Sequence, residues 1–260
     1  MLADTTLIVR EWPERPDLII YPIFDVHLGA AECMVDEWET FLKALKAEPN
    51  SYIIIGGDML NNGIKTSVSN CYDETMRPRE QKAMLTKQLE PIRDRILCGV
   101  PGNHCGRNAD VDQNPLYDVF CKLDIQERYR ENAAYNVFRL GDKSANGAKN
   151  PTYTMAVLHG AGGGMYIGSA ANRNERFGAV IDGLDILVTG HTHKPITYPV
   201  GKLSIDPQNN RVSHKDFRVV VATSWLDYAG YAMRKMLPPT AHCLSAIKLC
   251  GTKKQIKVEM

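Results

Sequence analysis

The stretch Val188-Thr189-Gly190-His191-Thr192-His193-Lys194-Pro195 decides how this chain reads. It follows the apolar residues Ile186 and Leu187, breaks at a glycine and then presents two histidines one residue apart. An apolar run with such an ending predicts a buried strand that stops at a functional edge. Neutral imidazole is a common metal ligand, and two at alternate positions can face neighbouring ions. Histidines also serve in cores and loops as ordinary hydrogen-bonding groups, so the pair alone leaves both readings open. Partners at other strand ends settle the choice.

Upstream, Leu18 to Phe24 is another almost wholly apolar run, and it ends in Asp25-Val26-His27-Leu28-Gly29. An isolated aspartate there is commonly a turn or cap residue. Asp-x-His directly after a buried strand also suits the grip of one cation. Tyr52 to Ile55 predicts the next strand, broken by Gly56-Gly57-Asp58. Asp58 comes about thirty positions after His27, the length of one βαβ unit, which places both strand ends on one edge of a parallel sheet. Ile96 to Val100 predicts a third strand, ending in Pro101-Gly102-Asn103-His104-Cys105-Gly106-Arg107, and Tyr153 to Leu158 a fourth, ending in His159 and a glycine-rich loop. An asparagine carbonyl is a neutral oxygen ligand, and the adjacent histidine is left to work as an acid.

Five of the seven histidines, at 27, 104, 159, 191 and 193, stand just after predicted strands, where open α/β sheets bind their ligands. With Asp25, Asp58 and Asn103 they offer more donors than one four-coordinate ion uses. Two metals bridged by a carboxylate follow.

The remaining segments are scaffold. Asp36 to Glu48 predicts a helix with Val35, Trp38, Phe41, Leu42 and Leu45 on one face and Asp36 with Glu39 resembling a capping arrangement. A second helix begins near Arg79 and bends or ends at Pro91; its basic residues, Arg77, Arg79, Lys82, Arg93 and Arg95, read as a solvated face or a phosphate patch. Helices are also predicted over Pro115–Leu123 and about Asn174–Ile181, a strand over Ala134–Leu140, and a polar loop over Gly141–Pro151 as the site of disorder. The tail carries strands over Val200–Ile205, Arg211–Ser213, Phe217–Ala222, Leu244–Leu249 and Gln255–Val258. Between them, Trp225, Tyr228 and Tyr231 line a cleft or belong to the core.

With 260 residues, 44% of them hydrophobic and 23% charged, the chain has the composition of a soluble globular protein, read as one domain over 1–260. A formal net charge of +1 gives no global field for polyanions. The first fifteen residues lack the apolar core of a secretory signal, no run reaches membrane-spanning length, and no membrane partner is expected. Seven scattered cysteines without C-x-x-C spacing exclude a disulfide framework and a thiolate zinc site, and they read as reduced thiols of a cytoplasmic protein.

Taken together, Asp25-x-His27, Gly57-Asp58, Gly102-Asn103-His104, His159 and Gly190-His191-x-His193 resemble, in order, the signature of the calcineurin-like metallophosphoesterase superfamily. The resemblance covers a core from about Leu18 to Pro195, with 196–260 expected to complete the second sheet. It implies an α/β four-layer sandwich, two mixed sheets packed face to face and flanked by helices. It further implies that Asp25, His27, Asp58 and His193 hold one ion and Asp58, Asn103, His159 and His191 the other, with Asp58 bridging. His104 matches the family's catalytic histidine, which faces the leaving-group oxygen. The two divalent ions are expected to be manganese first, although mixed His, Asp and Asn donors also suit iron, zinc and nickel.

Departures from the pattern narrow the substrate. Protein phosphatases of this family continue Gly-Asp as x-x-Asp-Arg-Gly, where the aspartate orients the histidine and the arginine grips phosphate; Asn61, Asn62 and Gly63 stand here. Cys105 replaces the acidic residue common after Gly-Asn-His, and Arg107 is the candidate for the missing clamp. Asp-Val-His-Leu-Gly with Gly-Gly-Asp is closer to the phosphodiesterase and nuclease branches. The expected activity is therefore hydrolysis of a phosphodiester, a nucleotide or nucleic acid, by a metal-bridging hydroxide with His104 as acid. A phosphomonoesterase and a non-catalytic binding subunit are the alternatives, the latter opposed by a complete ligand set.

Overall fold

Parallel pairing of β2 (Leu18–Ile23) with β3 (Ser51–Ile55), and of β3 with β4 (Ile96–Gly99), sets one edge on which three strands end together. The computed structural model describes residues 6–14, 16–65, 67, 71–107, 113–141 and 150–260, and leaves the side chain of Tyr231 aside. Most of the polar loop read over 141–151 lies outside the described residues. The remaining strands are β1 (Ile8–Trp12), β5 (Ala134–Leu140), β6 (Thr152–Val157), β7 (Ile186–Thr189), β8 (Ile196–Asp206), β9 (Arg211–Val221), β10 (Ala246–Leu249) and β11 (Ile256–Glu259). One sheet runs β11-β10-β2-β3-β4 and the other β1-β5-β6-β7-β9-β8, both with parallel and antiparallel neighbours.

Alternation along the strands builds the layers. Leu18, Ile20 and Ile54 face Phe138, Tyr153, Met155, Ile186 and Val188 of the other sheet in one buried cluster. Ile23, Ile53 and Ile55 face the opposite way, onto Trp38, Leu42 and Leu45 of α1 (Val35–Ala47), Leu85 and Leu89 of α2 (Pro78–Leu89) and Phe120 of α3 (Pro115–Lys122). The outer face of the six-stranded sheet is covered by α4 (Ile167–Ala179), whose Ala170, Asn174 and Gly178 form a small-residue stripe at helical spacing. The result is the expected four-layer α/β sandwich.

Several local expectations change. Residues 196–260 do not complete one sheet: β8 and β9 extend the sheet of β7, while β10 and β11 return to β2. β9 runs unbroken through His214-Lys215-Asp216, whose polar side chains are exposed in a hairpin arm and so hide the strand in the sequence. α4 begins at Ile167, seven residues before the expected start, because its buried face is built from small residues rather than large apolar ones. Met34, not Asp36, stands at the N-cap position of α1, and its side chain makes no cap hydrogen bond. Arg95 spends its guanidinium on the carbonyls of Leu45 and Ser51, and Lys82 pairs with Asp118 at 2.8 Å, so these two cations serve the scaffold. Trp225 is buried against Trp38 and Phe41 and belongs to the core. No described helix is long and apolar enough to cross a membrane, and all seven cysteines are free.

Candidate metal centre

Both sheets deliver side chains to one place. β2, β3 and β4 end just before Asp25 and His27, Asp58, and Asn103 and His104, whereas β6 and β7 end before His159 and before His191 and His193. The β2–β3 pairing continues into the loops, with Asp25 N donating to Gly57 O at 3.1 Å and His27 N to Asp58 O at 2.9 Å. Asp25, His27, Asp58, His191 and His193 all have φ between 49° and 66°. Regular strand cannot pass through that left-handed region, so the strands stop and the chain turns its polar side chains inward. Each such residue costs on the order of 1–3 kcal/mol, a strain typical of functional sites.

Around Nε2 of His159 lie Asp58 Oδ2 at 3.2 Å, Asn103 Oδ1 at 3.1 Å and His191 Nδ1 at 3.1 Å. Around Oδ1 of Asp25 lie His193 Nε2 at 3.5 Å and His27 Nε2 at 3.9 Å. Potential donor atoms within 4.8 Å of one another form three sets: Asp25, His27 and His193; His27, Asp58 and His104; and Asp58, His159 and His191. Asp58 joins the second set to the third and His27 the first to the second. Every residue singled out as a ligand in the sequence is thus brought to this centre, Asn103 through its contact with His159. His104 sits closer to the centre than expected, its ring 4.4 Å from that of His27 and its Nε2 3.9 Å from Asp58 Oδ2.

The model of the calcineurin-like phosphoesterase family matches residues 25–195, about two thirds of the chain. The chain belongs to that family. No curated protein matches it. Membership makes this calcineurin-like phosphoesterase a metal-dependent phosphoesterase in general terms, of a family that holds two divalent ions.

The donor set fits such a pair. Among the described residues, Asp25 Oδ1 and both ring nitrogens of His27 are buried without a hydrogen-bond partner, a costly state for polar atoms unless a cation faces them. Ligands about 2.1 Å from a tetrahedral ion lie about 3.4 Å from one another, close to the spacings around His159 and Asp25. Nδ1 of His159 donates to Gly56 O at 2.8 Å, which leaves Nε2 to face the centre.

Without metal, the charges of this calcineurin-like phosphoesterase compensate one another. Burial alone would raise both carboxyls, yet His193 beside Asp25 and His159 beside Asp58 hold them below the ordinary carboxylate range. Burial opposes a charged His159, but its contact with Asp58 and the charge of Asp25 raise it to about 9. His193 is likewise raised by Asp25 against burial. His27 is pushed down to about 3, by burial first and then by His104, and so stays neutral, the state in which an imidazole can bind metal.

His104 is supported by backbone rather than by a carboxylate. Its Nδ1 lies 2.6 Å from the carbonyl of Asn61, and its Nε2 2.9 Å from Nη2 of Arg107. A guanidinium only donates, so Nε2 is the acceptor and Nδ1–H donates to Asn61 O. Arg107 Nη1 reaches the same carbonyl at 2.7 Å, and Asn62 Nδ2 donates to His104 O at 2.8 Å. Cys105 points into the core and makes no part of this support. The Asn61 carbonyl is the group sequence reasoning missed, since a backbone acceptor leaves no side-chain signature. The loss of aspartate at that position was its one trace.

Proposed function

We propose that this site hydrolyses a phosphodiester of a nucleotide or nucleic acid, with His104 as the acid and Arg107 as the phosphate clamp. The observation that carries this reading is the Arg107 guanidinium on His104 Nε2, 2.9 Å away at the edge of the donor cluster. A diester presents one negative charge where a monoester dianion presents two, and one guanidinium beside the acid suits the single charge. Lys194, next to His193, has its ammonium on the carbonyls of Gly164 and Met165 and adds no second clamp.

Two divalent ions, when bound, would generate a nucleophile from water at neutral pH and neutralise developing phosphoryl charge. The chain itself does the rest. Asp25, His27, Asp58 and His193 would hold one ion and Asp58, Asn103, His159 and His191 the other, manganese being the first candidate. Arg107 exchanges His104 Nε2 for a phosphoryl oxygen when substrate enters. Nε2 is then free to carry a proton toward the leaving oxygen, while Nδ1–H stays on Asn61. Burial, with the charge of Arg107, holds the resting imidazole below its ordinary range against the pull of Asp58, and departure of the guanidinium eases protonation.

Protein reconstituted with Mn²⁺ should turn over bis-p-nitrophenyl phosphate, cyclic nucleotides or DNA with higher kcat/KM than p-nitrophenyl phosphate. A preference for the monoester would contradict the diester assignment, and absence of both turnover and bound metal would sink the enzyme. Arg107→Ala should lower kcat/KM by about 10- to 100-fold, the loss of one charge-assisted hydrogen bond. His104→Ala should retain metal and lose activity mainly on substrates with poor leaving groups.

A further inference from the structure

Two side chains outside the donor cluster control the carbonyl on which His104 rests. The side-chain amide of Asn61 and the N–H of Gly63 both donate to Glu74 Oε1, at 2.8 and 2.6 Å. The N–H between them, of Asn62, donates to Gln81 Oε1 at 2.9 Å. Gln81 Nε2 in turn donates to Glu74 Oε2 at 2.8 Å and to Met76 O at 2.9 Å. Three successive residues of the turn after Asp58 are therefore gripped by two side chains that grip each other.

The grip has a direct line to the imidazole. The C=O of Asn61 and the N–H of Asn62 belong to one planar peptide unit, so fixing the N–H on Gln81 fixes the direction of the C=O toward His104. Gln81 Oε1, the peptide and His104 Nδ1 thus form a continuous hydrogen-bonded relay, of the kind that strengthens link by link away from water. Gln81 is fully buried, on the first turns of α2. The backbone makes room for both side chains: a Cβ on Gly29 would lie 2.2 Å from Gln81 Nε2, and one on Gly63 2.0 Å from Glu74 Oε1. Thr75 N donates to Gly29 O at 2.9 Å, tying the loop that carries Glu74 to the Asp25–Gly29 segment.

We propose that Glu74 and Gln81 are positioning residues for His104, aiming the Asn61 carbonyl that orients the imidazole, in place of the aspartate that does this in protein phosphatases of the family. The proposal deepens the assignment of His104 as acid and rests on it. Neither residue touches substrate or metal; their effect passes through one peptide plane.

The test compares bis-p-nitrophenyl phosphate, whose leaving group needs little help, with diphenyl phosphate, whose leaving group needs a proton. Gln81→Met and Glu74→Ala should each lower kcat on diphenyl phosphate by about 10- to 100-fold, a part of the general-acid contribution. On bis-p-nitrophenyl phosphate the loss should stay under about threefold, with KM and metal content unchanged. In a His104→Ala background neither substitution should add a further loss. Equal losses on both substrates, or losses that persist without His104, would overturn the positioning role and mark the pair as merely structural. If His104→Ala itself shows no dependence on the leaving group, the acid assignment falls and this inference with it. A readout free of activity is the ¹⁵N spectrum of the His104 ring in metal-free protein at pH 8. Wild type should show a protonated Nδ1 and a bare Nε2, and Gln81→Met a mixture of tautomers. A wild-type ring protonated at Nε2, or a ring unaltered in a folded Gln81→Met, would overturn the proposal.

Discussion

Nε2 of His159 stands 3.2 Å from Oδ2 of Asp58, joining the end of β6 in one sheet to the end of β3 in the other. Both side chains are buried, so removing one leaves the other's charge uncompensated. In metal-free protein His159→Ala should cost about 3–5 kcal/mol, the usual penalty for breaking a buried ion pair. Because His159 also faces Asn103 and His191, the metal-loaded variant should retain about one ion per chain in place of two. Urea denaturation after EDTA treatment and elemental analysis check the two halves. Wild-type stability together with two retained ions would contradict the junction's role.

The same pair sets a pH dependence in metal-free protein. His159 is raised to about 9, so its contribution is complete below the ordinary imidazole value of 6.5 and is lost as pH rises through about 9. His27, pushed down to about 3, works in the opposite sense: below 6.5 the unfolded chain takes up a proton that the folded one refuses. Stability of the EDTA-treated protein should therefore rise as pH falls from about 9.5 to 6.5 and decline below that. Thermal melts across this range decide it, and stability still climbing at pH 9.5 would contradict the assignment. Metal affinity should instead weaken steadily as pH falls, because His ligands must be neutral.

Much of this was written in the sequence because strand ends carry chemistry there. Short apolar runs closed by Asp25, Asp58, His104, His159 and His191 gave both the parallel edge and the donor list, since buried strands and metal donors need conspicuous residue types. What stayed hidden has weaker signatures. β1 alternates buried Ile8 with exposed Val9 and lies in a segment with no chemistry to mark it. The β8–β9 arm showed only in pieces, Val200–Ile205, Arg211–Ser213 and Phe217–Ala222, because its tip is solvated: Leu203, Ile205 and Val212 stand exposed and no core face carries the period through 214–216. The support of His104 could not be read at all, because it runs through a peptide carbonyl and two polar side chains separated from it by tens of residues. Asn61 looked like a lost aspartate; in the fold its carbonyl occupies the orienting position.

Cys105 offers a test of that substitution of roles. Burial pushes its thiol up to about 12, and the residue packs with the core that includes Leu116 and Val119. Cys105→Asp would install the acidic residue common in the family, but in an apolar environment rather than beside the imidazole. It should destabilise by about 2–3 kcal/mol, the cost of burying a polar group without partners, which for a chain of this size lowers Tm by roughly 5–10 °C. Calorimetry of the metal-loaded protein measures this. An unchanged Tm with higher activity would show that position 105 faces His104 after all.

Gly102 probes how tightly the loops close on Asp58, the carboxylate shared by two donor sets. A Cβ there would lie 2.0 Å from Asp58 Oδ1 and 2.5 Å from Asp58 N, so rotating the carboxylate away cannot relieve the clash. Asp58 Oδ1 also accepts the N–H of His104 at 2.8 Å, and moving Asp58 breaks that contact as well. Asp58 is shared by the sets with His27 and His104 and with His159 and His191, so both lose a donor together. Gly102→Ala should weaken Mn²⁺ binding by more than about tenfold, at least the loss typical of disturbing a ligand's support. A Cβ on Gly106, four residues along the same loop, meets nothing within 4 Å among the described residues, and Gly106→Ala should bind as wild type does. Competition with a fluorescent chelator compares the two variants directly. Two ions held by Gly102→Ala as tightly as by Gly106→Ala would mean that the closeness of Gly102 to Asp58 places no constraint on the centre.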